Sequence, residues 1–258
     1  MTSPKILVMS RLEPDITRAA RWGMSNGVVR PGADDGYLWH ALLKAVFGDL
    51  APKPFFLAEP ERRRPYLVGY GASNKAALQA QAQAFASPDA AEAIGLPSLA
   101  VKAMPASFAA GARLGFEVRV RPVVRTTRND RIDPGREIDV FLAAAHKVPP
   151  EQKLDRGAVY GGWLARELAK GGAAVESNTV RLVSARRARL LRRGKLDDRG
   201  HRPLVPMGSK GGGPDLLMAG QLTVADPTAF AALLAHGVGR HRAFGFGMLL
   251  LKPPARTD

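Results

Sequence analysis

Leu114-Gly115-Phe116-Glu117-Val118-Arg119-Val120-Arg121 alternates apolar and charged side chains, the period-two pattern of a strand with one face turned inward. Pro105-Ala-Ser-Phe-Ala-Ala-Gly-Ala112 precedes it, rich in turn formers and without periodicity. A domain boundary is expected there, giving units 1–105 and 106–258. The strand decides the fold because it opens a second round of an order that the chain has already run through once.

The first round begins at Lys5-Ile-Leu-Val-Met-Ser-Arg-Leu12, an apolar run of strand length. The mixed stretch 14–33 suggests a short helix and a loop. Asp34-Asp35 then opens a helix to about Phe47, with acidic side chains set to accept free N–H groups, and Gly48 stops it. Pro54-Phe-Phe-Leu57 and Tyr66-Leu-Val-Gly-Tyr70 read as strands on either side of the basic turn Glu61-Arg-Arg-Arg-Pro65. Ser73 is expected to cap an alanine-rich helix to about Ala86, and Leu99-Ala-Val-Lys-Ala-Met104 closes the round as a strand.

The second round continues from the strand at 114–121 through a polar stretch, 123–154, holding a short helix at 137–146. A helix over 155–171, a strand pair within 177–193 and a strand at Leu216–Val224 follow. Asp226-Pro227 starts a helix to Leu234, with proline in its first turn, and residues 245–252 form the last strand. Strand, helix, strand, strand, helix, strand, run twice, predicts an α+β protein of two tandem ferredoxin-like (RRM-like) domains with antiparallel sheets.

Composition narrows the function. Hydrophobic residues make up 46% of the 258, enough for a real core. No apolar run approaches the roughly 20 residues of a membrane helix, and no basic amphipathic terminal helix is evident, so no membrane partner is expected. The start of the chain turns polar at Ser10 and Arg11 and reads as a strand rather than a signal peptide. Zero cysteines exclude disulfides and thiolate metal sites and fit a cytoplasmic location. The net charge is +15, split +3 over residues 1–105 and +12 over residues 106–258. Such an excess attracts a polyanion by releasing its condensed counterions, so nucleic acid is the expected partner.

Four groups of residues carry candidate chemistry. On the helix at 35–47, Leu38, Trp39, Leu42, Leu43 and Val46 form an apolar face, while Tyr37, His40 and Lys44 project together from another side. An imidazole can move a proton to or from a 2′-hydroxyl or a leaving oxygen, and an ammonium can stabilise charge at phosphorus. Taken alone, a histidine beside Trp and Tyr on a helix is more often a packing residue. The second group is Gly237-Val-Gly-Arg-His-Arg-Ala-Phe-Gly-Phe-Gly247, where Gly237, Gly239, Gly245 and Gly247 surround Arg240, His241 and Arg242. Glycines permit close backbone approach to a ligand, and arginines grip phosphates in pairs of bonds. It is neither a P-loop nor a dinucleotide fingerprint, because no Gly-Lys-Ser/Thr ends it and a strand follows where a helix should. A plain glycine turn is the alternative.

The third group is a basic hairpin with Arg181, Arg186, Arg187, Arg189, Arg192, Arg193 and Lys195, whose charges fall on both faces of any strand. They suit the backbone of A-form RNA, or else a solvated sheet edge. The fourth is Arg119, Arg121 and Arg125, of which the first two share a strand face that needs a partner or water; an RNA groove is expected there. His146, His201, His236 and His241 show no metal-ligand spacing, and no hydrolase elbow or zinc-protease helix is present, so neither metal nor cofactor is expected. Gly208-Ser-Lys-Gly-Gly-Gly213 reads as a loop.

These motifs together resemble the CRISPR repeat-processing endoribonucleases of the CasE type. Residues 237–249 resemble the glycine-rich loop and strand that close those enzymes, and Leu222-Thr-Val-Ala-Asp-Pro-Thr-Ala-Phe230 the strand and helix leading into it. Tyr37-Leu-Trp-His40 resembles the family's Tyr-x-x-His, and Phe116-Glu-Val-Arg-Val-Arg-Pro122 its Phe-Arg-Leu-Arg-Ala-Asn-Pro strand. The matches keep the family's order over nearly the whole chain. The resemblance implies metal-independent cleavage of precursor RNA within the repeat stem-loop, by attack of the 2′-oxygen with a 5′-hydroxyl leaving group. It also implies retention of the crRNA product and contact with other subunits of a crRNA-guided surveillance complex. His40 matches the catalytic histidine and Tyr37 its accompanying tyrosine; Lys44 and Arg242 are added as candidate charge stabilisers. The family loop frequently carries small or single basic residues where this chain has Arg240-His241-Arg242, and the repeat nucleases of type IV systems stay open as the subtype. A non-catalytic RNA-binding subunit of the same fold is the alternative.

Overall fold

Strand β1 (Val8–Leu12), expected as an apolar run of strand length, buries Val8, Ser10 and Leu12 on one face and leaves Arg11 in solvent. The computed structural model describes residues 6–126, 135–149, 151–198, 200–208 and 211–255. Lys5, residues 127–134 of the polar stretch, and Ser209 and Lys210 of the glycine loop lie outside them. Two units partition the chain: Met1–Ser107 with Leu234–Gly237 and His241–Met248, and Phe108–Leu233 with Val238–Arg240 and Leu249–Asp258.

In the first unit β1 leads to helices α1 (Ile16–Ser25) and α2 (Gly36–Phe47), strands β2 (Phe55–Ala58) and β3 (Tyr66–Gly71), helices α3 (Lys75–Phe85) and α4 (Pro88–Ala93), and strand β4 (Ala100–Ala103). The sheet order is β2-β3-β1-β4, antiparallel throughout, which is the ferredoxin-like arrangement. The core joins Leu12 and Leu67 of the sheet to Trp22, Leu38, Leu42, Val46, Phe47 and Leu78 of the helices and to Ile94, just past α4. Helix α2 buries seven of its twelve residues. Each large apolar side chain among them is worth about 1.5–3 kcal/mol of burial, so tertiary packing fixes this helix.

Two caps differ from expectation. Asp35 occupies the N-cap of α2 but its side chain makes no capping bond; Asp34 Oδ1 accepts from Gly36 N–H instead, at 2.8 Å. Asn74, not Ser73, caps α3, accepting from Ala77 N–H at 2.9 Å. The carboxamide oxygen reaches the third N–H of the helix, whereas Ser73 stands one residue too early.

The second unit opens with β5 (Arg113–Val120), followed by a two-stranded ribbon, β6 (Val123–Arg125) with β7 (Glu137–Asp139), that the polar sequence concealed. Helices α5 (Val140–Ala145) and α6 (Arg156–Lys170) follow. Asp139 caps α5 through Phe141 N–H and also receives the buried hydroxyl of Tyr160 from α6 at 3.0 Å. Burial, with this carboxylate beside it, pushes the Tyr160 phenol up to about 12. Strands β8 (Ala173–Val175), β9 (Arg181–Ala188), β10 (Leu191–Arg193), β11 (Leu204–Pro206) and β12 (Gly213–Val224), helix α7 (Pro227–His236) and strand β13 (Leu249–Lys252) complete the chain.

The main sheet runs β13-β5-β12-β8, with β9 also paired to β12. That is the same ferredoxin-like order, with β8 and β9 sharing the second-strand position. The expected strand pair within 177–193 is corrected: β9 pairs with β12, and β10 pairs with β11. The last strand is shorter than expected, because Gly245 and Gly247 take positive φ of 79° and 78° and turn the chain before it.

Candidate functional site

The first residue of helix α2, Gly36, has no room for a side chain. A methyl group on that residue would collide with the carbonyl oxygen of Phe244 and lie 2.8 Å from Asp34 Oδ1. The short 3-10 turn Arg242–Phe244 therefore sits directly against the start of α2. Its entry residue, His241, adopts φ 61°, uncommon for a side-chain-bearing residue, and Gly245 leaves it in the left-handed region.

This turn brings Phe244 to the candidate catalytic pair. The ring centroids of Tyr37 and His40 are 6.1 Å apart, those of Tyr37 and Phe244 6.1 Å, and those of His40 and Phe244 5.3 Å, the last edge-to-face at 61°. Tyr37 and His40 are half-buried. Burial, then the charges of Lys44 and Lys53, hold the His40 imidazole below its usual 6.5 and favour its neutral form. Phe244 was hidden in the sequence because nothing in it says that residue 244 meets residue 40.

His40 lines a cavity of about 500 Å³ with Leu43, Lys44, Asp49, Lys53, Tyr70, Ser73 and Ala243 among its walls. Lys44 does not project alone beside His40. Its ammonium pairs with Asp49 at 2.7 Å, and that pair holds the Asp49 carboxyl below the usual carboxylate range. Arg242 donates to the carbonyl oxygen of His236 at 2.9 Å. Gly237, at φ 81°, faces the carbonyl oxygen of Gly247, where a methyl would lie 2.8 Å away. Close backbone packing within the first unit thus explains Gly237. In the second unit a methyl on Gly239 would touch Trp163 at 3.1 Å, and Arg240 pairs with Glu137 at 2.7 Å.

The basic residues separate into held and exposed ones. Arg119 lies on β5 and Arg121 just past its end, and the expectation of an RNA-facing pair is corrected by what lies opposite them. Arg119 makes two bonds to Asp215, at 2.8 and 2.7 Å. Arg121 is 2% exposed and donates to the carbonyl oxygen of Ala188. Its guanidinium fills the space left by Gly213, where a methyl would lie 2.5 Å from Nη2. Burial pushes the Asp215 carboxyl up, but bonds and charges from Arg119 and Arg186 outweigh it and leave the group lowered. Gly213, read as the end of a loop, and Asp215, just before the expected strand, were the missed signals; both belong to β12.

Arg186 stands across from Asp215 and reaches it at 2.6 Å, yet stays 65% exposed. Arg187 donates to Gly212 and Arg193 to Arg202, both through carbonyl oxygens. Arg125, Arg181, Arg189, Arg192 and Lys195 are exposed. From Arg181 to Arg187 every residue of β9 is exposed, so both faces of this strand meet solvent. Among the described residues no helix is long and apolar enough to cross a membrane.

A solved structure of the CRISPR endoribonuclease Cse3 bound to a 19-nucleotide RNA matches with a TM-score of 0.61 at 18% identity, covering 96% of this chain and 100% of that one. Cse3 of Thermus thermophilus, bound to an RNA representing a pre-cleavage complex, matches at 0.58 and 17%, again covering 96% and 100%. A CRISPR-associated protein from Thermus thermophilus gives 0.53 and 17%, with 96% and 100% covered. At such identities the likeness is one of fold, and it agrees with the two ferredoxin-like sheets traced above. No curated protein matches the sequence. The model of the family described as CRISPR associated protein matches residues 7–253, nearly the whole chain, and the protein belongs to that family.

Proposed function

We propose that the protein is an endoribonuclease that cuts CRISPR precursor RNA within its repeat stem-loop, needs no metal ion, and keeps the crRNA it makes. One observation carries this reading: the half-buried imidazole of His40, grouped with the rings of Tyr37 and Phe244 at the wall of a cavity that favours its neutral form, in a chain of the CRISPR associated protein family. A neutral imidazole accepts the proton of the 2′-hydroxyl as the 2′-oxygen attacks phosphorus. The new P–O2′ bond forms as the P–O5′ bond breaks, and O5′ takes a proton from the imidazolium or from water. A 2′,3′-cyclic phosphate and a 5′-hydroxyl remain. Tyr37 orients the imidazole or the attacking hydroxyl. Lys44 and Arg242 are candidates for charge stabilisation, each first having to leave the partner it holds. The exposed arginines of the second unit (Arg125, Arg181, Arg186, Arg187, Arg189, Arg192 and Arg193) hold the RNA backbone, and other subunits of a crRNA-guided surveillance complex are the expected protein partners.

The test is incubation of the purified protein with the repeat RNA of its own locus in EDTA, beside His40→Ala. A single cut by the wild type, lost in the variant while binding persists, is the expected result. Tight binding with no cut by either protein leaves the alternative, a non-catalytic RNA-binding subunit of the same fold.

A further inference from the structure

The cavity beside His40 holds two ammonium groups, and the structure treats them differently. Lys44 is already paired with Asp49, a carboxylate in the same wall. Among the described residues, the ammonium of Lys53 has no carboxylate partner. The backbone of Lys53 is nevertheless fixed, since its N–H donates to the carbonyl oxygen of Tyr70 and the next carbonyl, of Pro54, accepts from Tyr70 N–H. The side chain thus starts from an anchored point at the edge of β3. Ser73 lines the same wall and immediately precedes Asn74, the cap of α3, so the positive end of that helix begins beside the lining. Lys44 shares its charge with the exposed carboxylate of Asp49, whereas Lys53 brings its charge to the cavity without a carboxylate beside it.

We propose that this cavity is a binding site for an RNA backbone phosphate, with Lys53 as its main cationic group and Ser73 as a second donor. The inference rests on the proposed nuclease reading for its choice of RNA as the source of the phosphate. A phosphate entering here meets Lys53 with no carboxylate to displace, whereas Lys44 has first to leave Asp49. It also lies against the imidazole of His40, so an occupied site places phosphorus chemistry beside the proton carrier.

The test follows the His40 ring by NMR at constant ionic strength. Inorganic phosphate is titrated into one set of samples and a repeat RNA with 2′-deoxy sugars, which cannot be cut, into another. Wild type, Lys53→Ala, Lys53→Arg and Lys44→Ala are compared. Both ligands shift the His40 signal in the wild type; Lys53→Ala weakens the phosphate response about tenfold or more, and Lys53→Arg restores most of it. An undiminished response in Lys53→Ala, or one abolished by Lys44→Ala instead, overturns the proposal. A response to inorganic phosphate with none to the RNA overturns the assignment to an RNA phosphate. Because none of these readouts needs turnover, a wild type that fails to cut repeat RNA sinks the nuclease reading and leaves the phosphate site to be decided by NMR alone.

Discussion

The imidazole of His40 meets the ring of Phe244 edge-on, with centroids 5.3 Å apart, although 204 positions separate them in the chain. The contact limits how far the imidazole can turn, and it depends on the short turn that Gly36 admits against helix α2.

Removing the aromatic wall loosens the imidazole without touching its chemistry. Phe244→Ala is expected to slow single-turnover cleavage of repeat RNA by roughly 10- to 100-fold, the cost of small misplacements at a reacting group. Affinity for an uncleavable RNA changes little, and Phe244→Tyr keeps most of the rate. Equal cleavage by Phe244→Ala and wild type would show that the contact positions nothing.

Gly36→Ala separates helix propensity from packing. Alanine in a helix is better than glycine by about 1 kcal/mol, so propensity alone predicts a gain. The collision with Phe244 predicts a net loss of about 1–3 kcal/mol, since the turn has to move. Urea unfolding decides between them, and a raised midpoint would count against the close approach.

Acidity reaches the protein through His40. Its folded pKa lies below 6.5 because of burial and the charges of Lys44 and Lys53. Between that value and 6.5 the unfolded chain binds more protons at this site than the folded one, so stability falls as pH drops below about 6.5 and levels off once the folded imidazole is charged. Asp49, in the same cavity wall, is paired with Lys44. NMR titration is expected to give a His40 midpoint below that of an exposed histidine, and His40→Gln to remove this part of the pH dependence. A midpoint above 6.5 contradicts the environment described here.

Asp215 is 3% exposed and holds Arg119 and Arg186. Asp215→Ala strands the largely buried guanidinium of Arg119 and is expected to cost about 3 kcal/mol or more. Arg186→Ala, which removes the exposed partner, costs about 1 kcal/mol or less. Calorimetry on the two variants tests the asymmetry, and similar losses would refute it.

The same division predicts two classes of arginine in RNA binding. Substituting Arg192 or Arg181 by alanine is expected to flatten the dependence of log affinity on log salt by about 0.7–0.9 each, one phosphate contact apiece. Arg121→Ala leaves that slope unchanged and lowers stability instead, because its guanidinium is enclosed beside Gly213. A flattened slope in Arg121→Ala would place that side chain on the RNA after all.

Local chemistry wrote the element order into the sequence. The alternation of β5, the apolar face of α2, the proline that starts α7 and the repeated six-element order depend on residues close in the chain, through periods of two and 3.6 that any reader of the sequence can follow. Tyr37 and His40 were legible for the same reason, lying three residues apart on one helix. Other features depended on distant partners. Whether Arg119 faces solvent is set by Asp215, 96 positions away, and Arg121 is enclosed because Gly213 lacks a side chain. Phe244 joins His40, Lys44 is taken by Asp49, and Lys53 enters the cavity only once β2 and β3 bring Pro54 against Tyr70. Periodicity fixes which side of an element a residue occupies; only the packing of elements remote in sequence decides what waits on that side, and so whether a charge is spent inside the protein or left for a ligand.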